Sequence, residues 1–262
     1  MAFIQLTDLH FVPPGERLFG TDPAERLAAA VDLINAEHDD AEFVLISGDL
    51  THRGERAAYE LLRDTLAPLA LPVHLMVGNH DDREVLASVF DVPRDGNGFV
   101  QFVIDAEDTP IVCLDTLVDE QMRSDGVLCR QRLDWLAARV GELRRPWVLA
   151  MHHPPLTLGL PNMDRIRLDQ ASSDALGEIL APNPPRLMLL GHVHRPIHGT
   201  WRGIPFHIHR GINHQVAYRA GMEKVLMFSD EPAELAIISL NSGDAVIHTR
   251  VCSAPPREFA SN

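Results

Sequence analysis

The stretch FVLISGD, residues 43–49, joins an apolar run of strand length to a glycine and a carboxylate. A short apolar run that ends in turn-forming residues is typical of a buried strand. The same arrangement recurs in four places: AFIQLTDLH (2–10), VHLMVGNHD (73–81), WVLAMHH (147–153) and RLMLLGHVH (186–194). In each case a residue able to bind a metal follows the apolar run. Ligands of open α/β sheets bind at the carboxyl ends of the strands, so five strand ends could present these groups to one crevice.

Amphipathic segments lie between these runs and predict helices. The first begins after Asp22, a favourable N-cap, with Pro23 at the first helical position. Four more helices are predicted over residues 55–69, 82–90, 130–141 and 172–180, the last capped by Ser172 or Ser173. The stretch 153–171, rich in proline and glycine, predicts a surface loop beside the site.

Strands dominate after about residue 200. The pattern predicts them over 204–209, 224–228, 234–240 and 244–251, in addition to two earlier strands over 99–104 and 111–115. Short apolar runs that alternate with helices predict an α/β fold. The β-rich C-terminal part suggests a second sheet packed against the first, and hence a four-layer α/β/β/α sandwich. We expect one domain over residues 1–262, in which residues 195–250 could include a small β-rich cap or dimerisation segment.

The composition restricts the class of protein. The chain has 262 residues, 45% hydrophobic and 23% charged, as in ordinary globular domains. Its net charge of −14 argues against a nucleic acid polymer as partner, although bound metal ions can make one site locally positive. Three widely spaced cysteines without a C-x-x-C pair indicate reduced thiols in the cytoplasm. Neither a signal peptide nor a membrane-spanning run is expected.

The residues after the five strand ends form a set of donors for divalent metals. In an extended segment, residues i and i+2 point to the same side, so Asp8 and His10 are expected to share one metal, and His192 and His194 are likewise expected to face one site. Imidazoles, carboxylates and an amide oxygen suit Zn, Mn, Fe or Co. The donors are too many for one tetrahedral ion and suit two ions that share a bridging carboxylate. They are Asp8, His10, Asp49, Asn79, His152, His192 and His194.

In this order the motifs D-x-H, G-D, G-N-H-D, a single His and G-H-x-H resemble the calcineurin-like metallophosphoesterase superfamily. All five motifs occur between residues 8 and 194. Within the superfamily, the chain looks most like the bacterial cyclic-nucleotide phosphodiesterase and glycerophosphodiesterase group. Weaker evidence for that group comes from MHHPPL (151–156), the segment 162–164 and HQV (214–216) followed by Tyr218.

The resemblance implies two divalent ions and a role for each donor. Asp8, His10 and His194 would hold the first ion, and Asp49 would bridge the pair. The second ion would be held by Asn79, His152 and His192. A hydroxide shared by the ions would attack a small phosphodiester. The ions, the two carboxylates and the hydroxide leave one net positive charge, which matches the single negative charge of a phosphodiester.

Several other polar residues need an interpretation. His80 would act beside the scissile phosphate, and His214 is a candidate for contact with substrate. Asp81 is expected to orient an Asn or His side chain. In the pair HH at 152–153, His152 directly follows the apolar run and is expected to bind metal, whereas His153 points away and braces the loop. His207 and His209 are interpreted as structural or solvent-facing; no role is assigned to His38, His52, His74, His198 and His248.

Three other functions remain open from the sequence. A phosphomonoesterase or a nuclease of the same superfamily would use the same donors, but the acidic charge and the lack of a basic, aromatic-rich stretch disfavour the nuclease. A non-catalytic scaffold would be expected to lack some of the ligands. A homo-oligomer is a further expectation from the resemblance.

Overall fold

Strands and helices alternate along most of the chain in the computed structural model. The structure describes residues 1–106, 109–118, 123–218, 226–241 and 243–252. The helices are α1 (Pro23–Glu37), α2 (Arg56–Leu66), α3 (Arg83–Val89), α4 (Arg130–Glu142), α5 (Pro161–Asp164) and α6 (Gln170–Leu180). The first seven strands are β1 (Ala2–Leu6), β2 (Val44–Ser47), β3 (Val73–Met76), β4 (Phe102–Ile104), β5 (Ile111–Leu114), β6 (Val148–Met151) and β7 (Leu187–Leu190). The last six are β8 (Ile197–Trp201), β9 (Ile204–Ile208), β10 (Gln215–Val216), β11 (Phe228–Ser229), β12 (Glu234–Leu240) and β13 (Ala245–Val251).

The strands form two large sheets and one short pair. The first sheet has the order β13-β12-β1-β2-β3, and the second has the order β4-β5-β6-β7-β9-β8. In the first sheet β1, β2 and β3 are parallel, and in the second β5, β6, β7 and β9 are parallel. Parallel strands end at the same edge of a sheet, so the five strands predicted to carry metal donors deliver them to two neighbouring edges.

Alternate residues of the second sheet belong to two different cores. On β7, Leu187 and Leu189 pack in a cluster with residues of the first sheet and of α1 and α2. Met188 and Leu190 pack instead with residues of α4 and α6. Opposite faces of a strand carry alternate side chains, so this sheet is buried on both sides. Two sheets flanked by helices confirm the predicted α/β sandwich.

The β-rich tail completes both sheets rather than forming the second one. Strands β8 and β9 extend the sheet begun by β4–β7, whereas β12 pairs with β1 and β13 pairs with β12 in the first sheet. The expectation that the tail supplies a separate second sheet is therefore wrong. The hydrophobic pattern identifies β9, β12 and β13 as strands but does not encode their partners, because strand pairing depends on contacts that are distant in sequence.

The predicted N-cap is confirmed for α1 and wrong for α6. Asp22 caps α1 as predicted, since its carboxylate accepts from Ala24 N at 2.9 Å. The cap of α6 is Asp169, which accepts from Ser172 N at 2.6 Å, so the predicted serine cap is wrong. The hydroxyl of Ser172 accepts instead from Leu128 N.

Three further differences concern strands and loops. Strand β8 was not predicted, and the short helix α5 lies within the predicted loop 153–171. The predicted strand 224–228 falls partly outside the described residues, and β11 begins at Phe228. No helix within the described part of the chain is long and apolar enough to span a membrane.

Candidate metal centre

The candidate donors lie where the carboxyl edges of the two sheets meet. Asp8 and Asp49 follow β1 and β2 of the first sheet, and His152 and His192 follow β6 and β7 of the second. The Nε2 atom of His152 is 3.3 Å from Oδ2 of Asp49, which links the two sheets at this point. All four side chains are buried, so the sandwich holds a polar cluster in its interior.

Four predicted donors form one compact group. The ligand atoms of Asp8, His10, Asp49 and His194 all lie within 4.8 Å of one another. The Nε2 atoms of His10 and His194 are 3.0 Å apart, and Oδ1 of Asp8 is 3.2 Å from His194 Nε2. Two carboxylates and two imidazoles at this spacing are a donor set that suits a borderline divalent cation.

A second group lies on the other side of Asp49. Three of its buried polar atoms have no hydrogen-bond partner among the described residues: Asn79 Oδ1, His152 Nε2 and His192 Nε2. Buried polar atoms are normally satisfied, and an ion would supply the missing partner for all three. The residues therefore fit a second metal ion, with Asp49 positioned between both groups.

The backbone at the centre is strained at most of the candidate donors. Five of the seven have a positive φ, between 49° and 69°: Asp8, His10, Asp49, His192 and His194. Residues other than glycine seldom adopt this conformation, and such strain is concentrated at functional sites. The extended geometry expected for D-x-H and H-x-H is therefore wrong. Asp8 and His10 nevertheless converge, with His10 Nε2 3.9 Å from Asp8 Oδ1, and Leu9 and Val193 are buried.

Gly78 leaves room for the donors to approach one another. A Cβ at this position would lie 2.7 Å from His152 Nε2 and closer still to Asp49 Oδ1. Any larger residue would occupy the space between the carboxylate and the imidazole. The glycine of the G-N-H-D motif is thus a steric requirement of the cluster.

Hydrogen bonds fix the ring orientation of two histidines. His152 Nδ1 donates to the carbonyl of Ser47 at 2.9 Å, and His194 Nδ1 donates to the carbonyl of His214 at 2.8 Å. Each bond leaves Nε2 directed at the carboxylates, as metal-binding histidines require.

Burial and charge act in opposite directions on the imidazoles. Burial lowers the pKa of His10 and of His192 well below the usual value, so both rings are neutral, the form that binds metal. Burial also opposes the charged form of His152, but the carboxylates of Asp49 and Asp8 raise its pKa to about 9. A cation is therefore favoured at this position, and a divalent ion would take the place of the proton.

Comparison with known proteins identifies the family. Residues 1–196 match the calcineurin-like phosphoesterase family. The chain belongs to this family. It is 49% identical to a probable cyclic nucleotide phosphodiesterase of Rhodopseudomonas palustris, over 95% of this chain and 91% of that protein. It is 28% identical to a probable glycerophosphodiester phosphodiesterase of Arcobacter nitrofigilis, over 90% of this chain and 88% of that protein.

A solved structure shares the fold. A dimetal phosphatase from Danio rerio superimposes with a TM-score of 0.70 over 96% of each chain, at 16% identity. Calcineurin-like phosphoesterases use a pair of divalent metal ions, and the two groups of donors in this member are candidates to hold such a pair.

His80 lies at the mouth of the centre in this calcineurin-like phosphoesterase. Its backbone N–H donates to Asp49 Oδ1 at 2.9 Å, and its Nδ1 donates to the carbonyl of His52 at 2.8 Å. The ring lines a cleft of about 900 Å³ that also borders Asn79 and His52. With Nδ1 occupied, Nε2 is the nitrogen left to exchange a proton with a ligand.

His214 and His153 flank the two groups of donors. The His214 ring lies 4.9 Å from that of His10 and 4.4 Å from that of His194, measured between centroids, and burial lowers its pKa far below the usual value. His153 is also buried beside the centre, but both ring nitrogens have partners: Nδ1 is 2.7 Å from Thr116 Oγ1 and Nε2 donates to the carbonyl of Ser124 at 3.2 Å.

Asp81 supports the loops that carry the donors. Its carboxylate accepts from the N–H groups of Leu50, Thr51 and Gly78 and from the hydroxyl of Tyr59. Burial and the nearby charge of Asp49 raise its pKa to about 6. Asp81 thus binds the backbone of the two loops that follow β2 and β3, whereas the sequence suggested that it orients an Asn or His side chain.

Sequence reasoning missed two residues at the centre. His52, to which no role was assigned, stacks on His80 with ring centroids 5.0 Å apart and has Nδ1 3.5 Å from His10 Nδ1. Burial, chiefly, lowers its pKa to about 4. Phe19 lies against His214, at 4.8 Å between ring centroids. Neither belongs to a motif, and only its place in a loop that follows a donor strand could have drawn attention to it.

Proposed function

We propose that the protein is a two-metal phosphodiesterase that hydrolyses small phosphodiesters, namely 3′,5′-cyclic nucleotides, glycerophosphodiesters or both. The observation that carries the proposal is the pair of donor groups on either side of Asp49, with three orphaned donor atoms on one side. Support also comes from the family and from the activities named for the two relatives.

In this proposal each donor has a defined place. Asp8, His10 and His194 would hold the first ion, and Asp49 would be shared with the second. Asn79, His152 and His192 would hold the second ion. The donor chemistry suits Fe, Mn, Zn or Co. Such a pair supplies an activated water and electrostatic stabilisation of the attacked phosphate.

The chain's own residues position the substrate and move a proton. The Nδ1 bond to His52 holds the His80 ring at the edge of the cleft, where Nε2 of the doubly protonated ring would donate to a phosphate oxygen or to the departing oxygen. His214 closes the opposite side of the first donor group and is proposed to contact the substrate.

The size and charge of the site favour a small substrate. The cleft of about 900 Å³ is in the range of about 300–1,000 Å³ typical of small-molecule sites. The chain is acidic, with a net charge of −14, which disfavours a polymeric nucleic acid. A cytoplasmic location and a homo-oligomer stay predictions.

A substrate panel and one substitution test the proposal. Hydrolysis of cyclic AMP, glycerophosphocholine and a synthetic diester is compared with that of a matched monoester and of single-stranded DNA. Asp49→Asn is expected to abolish both hydrolysis and stoichiometric metal binding, because the amide cannot bridge two cations. Asp64→Asn, at an exposed position of α2, is the control and should change neither.

Three outcomes would contradict the proposal. A large preference for the monoester would assign the site to phosphomonoester hydrolysis, and DNA cleavage at rates that rival the small diesters would assign it to a nuclease. Metal binding without any hydrolysis would favour a scaffold.

A further inference from the structure

Phe19 occupies a backbone position that disfavours large side chains. Leu18 and Thr21 exchange two backbone hydrogen bonds of 3.0 Å around Phe19 and Gly20. The φ values of these two central residues are 51° and 84°, as in a type I′ turn. Asn, Asp or Gly is preferred at the first central position, because other residues seldom adopt the positive φ that it requires. The turn alone does not explain why the residue is a phenylalanine.

The β8–β9 hairpin provides an internal comparison. Arg202 and Gly203 form the same kind of turn, with φ values of 51° and 84°. Arg202 is exposed there and its guanidinium bonds to Asp174 on α6. The same strained position thus carries a solvated side chain in one hairpin and an aromatic ring beside the metal centre in the other.

The ring of His214 separates the ring of Phe19 from the first group of donors. It contacts His214 edge to face at 4.8 Å between centroids, and His214 in turn contacts His10 and His194. Phe228 stacks on Phe19 at 4.3 Å and 27°. Even so, 51% of Phe19 is exposed. An apolar ring is therefore presented to solvent at the edge of a polar centre.

The turn is anchored rather than free. The hydroxyl of Thr21 is 2.6 Å from Oδ1 of Asn213, and Nδ2 of Asn213 is 3.2 Å from Nδ1 of His214. Asn213 and Thr21 are both buried. These contacts fix Phe19 relative to the segment that carries His214. Phe19 lines a cavity of about 510 Å³ whose walls also include cationic and acidic side chains, among them Arg17 and Asp22.

We propose that Phe19 is a platform on which the nucleobase of a 3′,5′-cyclic nucleotide stacks, so that this residue selects cyclic nucleotides among small diesters. The inference rests on the proposed function and deepens it. A cyclic nucleotide carries its base on the sugar that is fused to the reacting phosphate, so a phosphate at the metals places the base within one sugar of it. Every base has an apolar face that stacks on an aromatic ring, and the polar cavity offers partners to its edge.

The test compares a substrate with and without its base. Steady-state kinetics of the metal-loaded protein are measured on cyclic AMP, on its base-free analogue, 1-deoxyribose 3′,5′-cyclic phosphate, and on glycerophosphocholine. Phe19→Leu removes the ring and keeps an apolar side chain. It is expected to lower kcat/KM for cyclic AMP by about 10-fold or more, mainly through KM, because stacking binds ground and transition states alike. The value for the base-free analogue should change by less than about twofold.

Two further variants complete the comparison. Phe19→Tyr retains the ring and should restore the activity on cyclic AMP. Arg202→Leu changes the equivalent position of the other hairpin and should leave both substrates unaffected. Equal losses on both substrates, or no loss on cyclic AMP, would overturn the inference and reduce Phe19 to a packing residue of the turn. A greater loss on glycerophosphocholine would assign the ring to a choline cation and would also overturn it.

Failure of the inference and failure of the proposed function are distinguishable. If the wild-type protein hydrolyses no diester, the proposed function fails. The inference is then tested by equilibrium dialysis of cyclic AMP with the metal-loaded protein. Binding that Phe19→Leu weakens by about 10-fold and Phe19→Tyr restores would support it. Absence of binding, or equal binding by all three proteins, would overturn it.

Discussion

At the scale of single residues, hydrogen bonding distinguishes His152 from His153, which are adjacent in the sequence. The Nε2 atom of His152 has no hydrogen-bond partner in the part of the chain that the structure describes and faces Asp49 at 3.3 Å, while Nδ1 donates to the carbonyl of Ser47. In His153 both ring nitrogens are occupied, by Thr116 and Ser124. Only His152 therefore has a lone pair to offer, although both rings are buried beside the centre.

Alanine substitutions should reveal this asymmetry. His152→Ala is expected to bind about one ion fewer per chain, because it removes one of the few donors of the second group. His153→Ala should retain both ions and lose about 1–2 kcal/mol of unfolding free energy through its two hydrogen bonds. Metal content after gel filtration and chemical denaturation measure these effects. Loss of an ion from the His153 variant would contradict the assignment.

At the scale of elements, strand ends determine where the donors lie, and tight contacts between loops determine how closely they approach. Gly78 follows β3 and approaches Asp49 and His152, which follow strands of different sheets. The centre therefore depends on a contact between three loops. A side chain in this contact would separate donors that must share an ion.

Gly78→Ala should impair metal binding without a change in any donor. The added Cβ would meet Asp49 Oδ1 and His152 Nε2, so we expect loss of at least one ion and about 1–3 kcal/mol of destabilisation. Gly96→Ala is the matched control, because nothing lies within 4 Å of its Cβ. Calorimetric titration of the metal-free proteins measures the affinity. Wild-type affinity in the Gly78 variant would show that the loop shifts at little cost.

The sequence predicts much of this element-scale arrangement. The apolar runs locate the donor strands, and the motifs locate the donors, because both are local features of the chain. The left-handed backbone at Asp8 and His192 is not encoded by a strand pattern, which predicts an extended chain. The sequence also does not predict that β9 and β12 belong to different sheets, because strand pairing depends on contacts that are distant in sequence. Phe19 and His52 escape detection for the same reason.

At the scale of the whole molecule, buried imidazoles lie in the seam between the two sheets. His209, directly after β9, donates from Nε2 to the carbonyl of Glu234 on β12 at 2.9 Å. His207 on β9 is fully buried and pairs through Nδ1 with Nδ1 of His198 on β8, at 3.1 Å. His207 and His209, interpreted from the sequence as structural or solvent-facing, are thus buried, which favours the structural interpretation. Their protonation state affects the stability of the sandwich as a whole.

Acid should therefore destabilise the protein in part through His207. Burial, with smaller effects of His209 and His198, lowers the pKa of His207 to about 3. A histidine with a lowered pKa in the folded state contributes stability that is fully present above its unfolded value of about 6.5 and is lost as the pH falls towards about 3. Between pH 7.5 and pH 5 this one group should cost about 2 kcal/mol of unfolding free energy.

His207→Leu should reduce that acid loss by the same amount. Urea denaturation at pH 7.5 and pH 5, with a chelator present so that metal release does not contribute, gives the two unfolding free energies. The other buried histidines titrate in both proteins and cancel in the comparison. His248→Leu, at an exposed position of β13, is the control and should retain the wild-type difference between the two pH values. An unchanged difference in the His207 variant would mean that the ring is already protonated, or accessible to water, in the seam between the sheets.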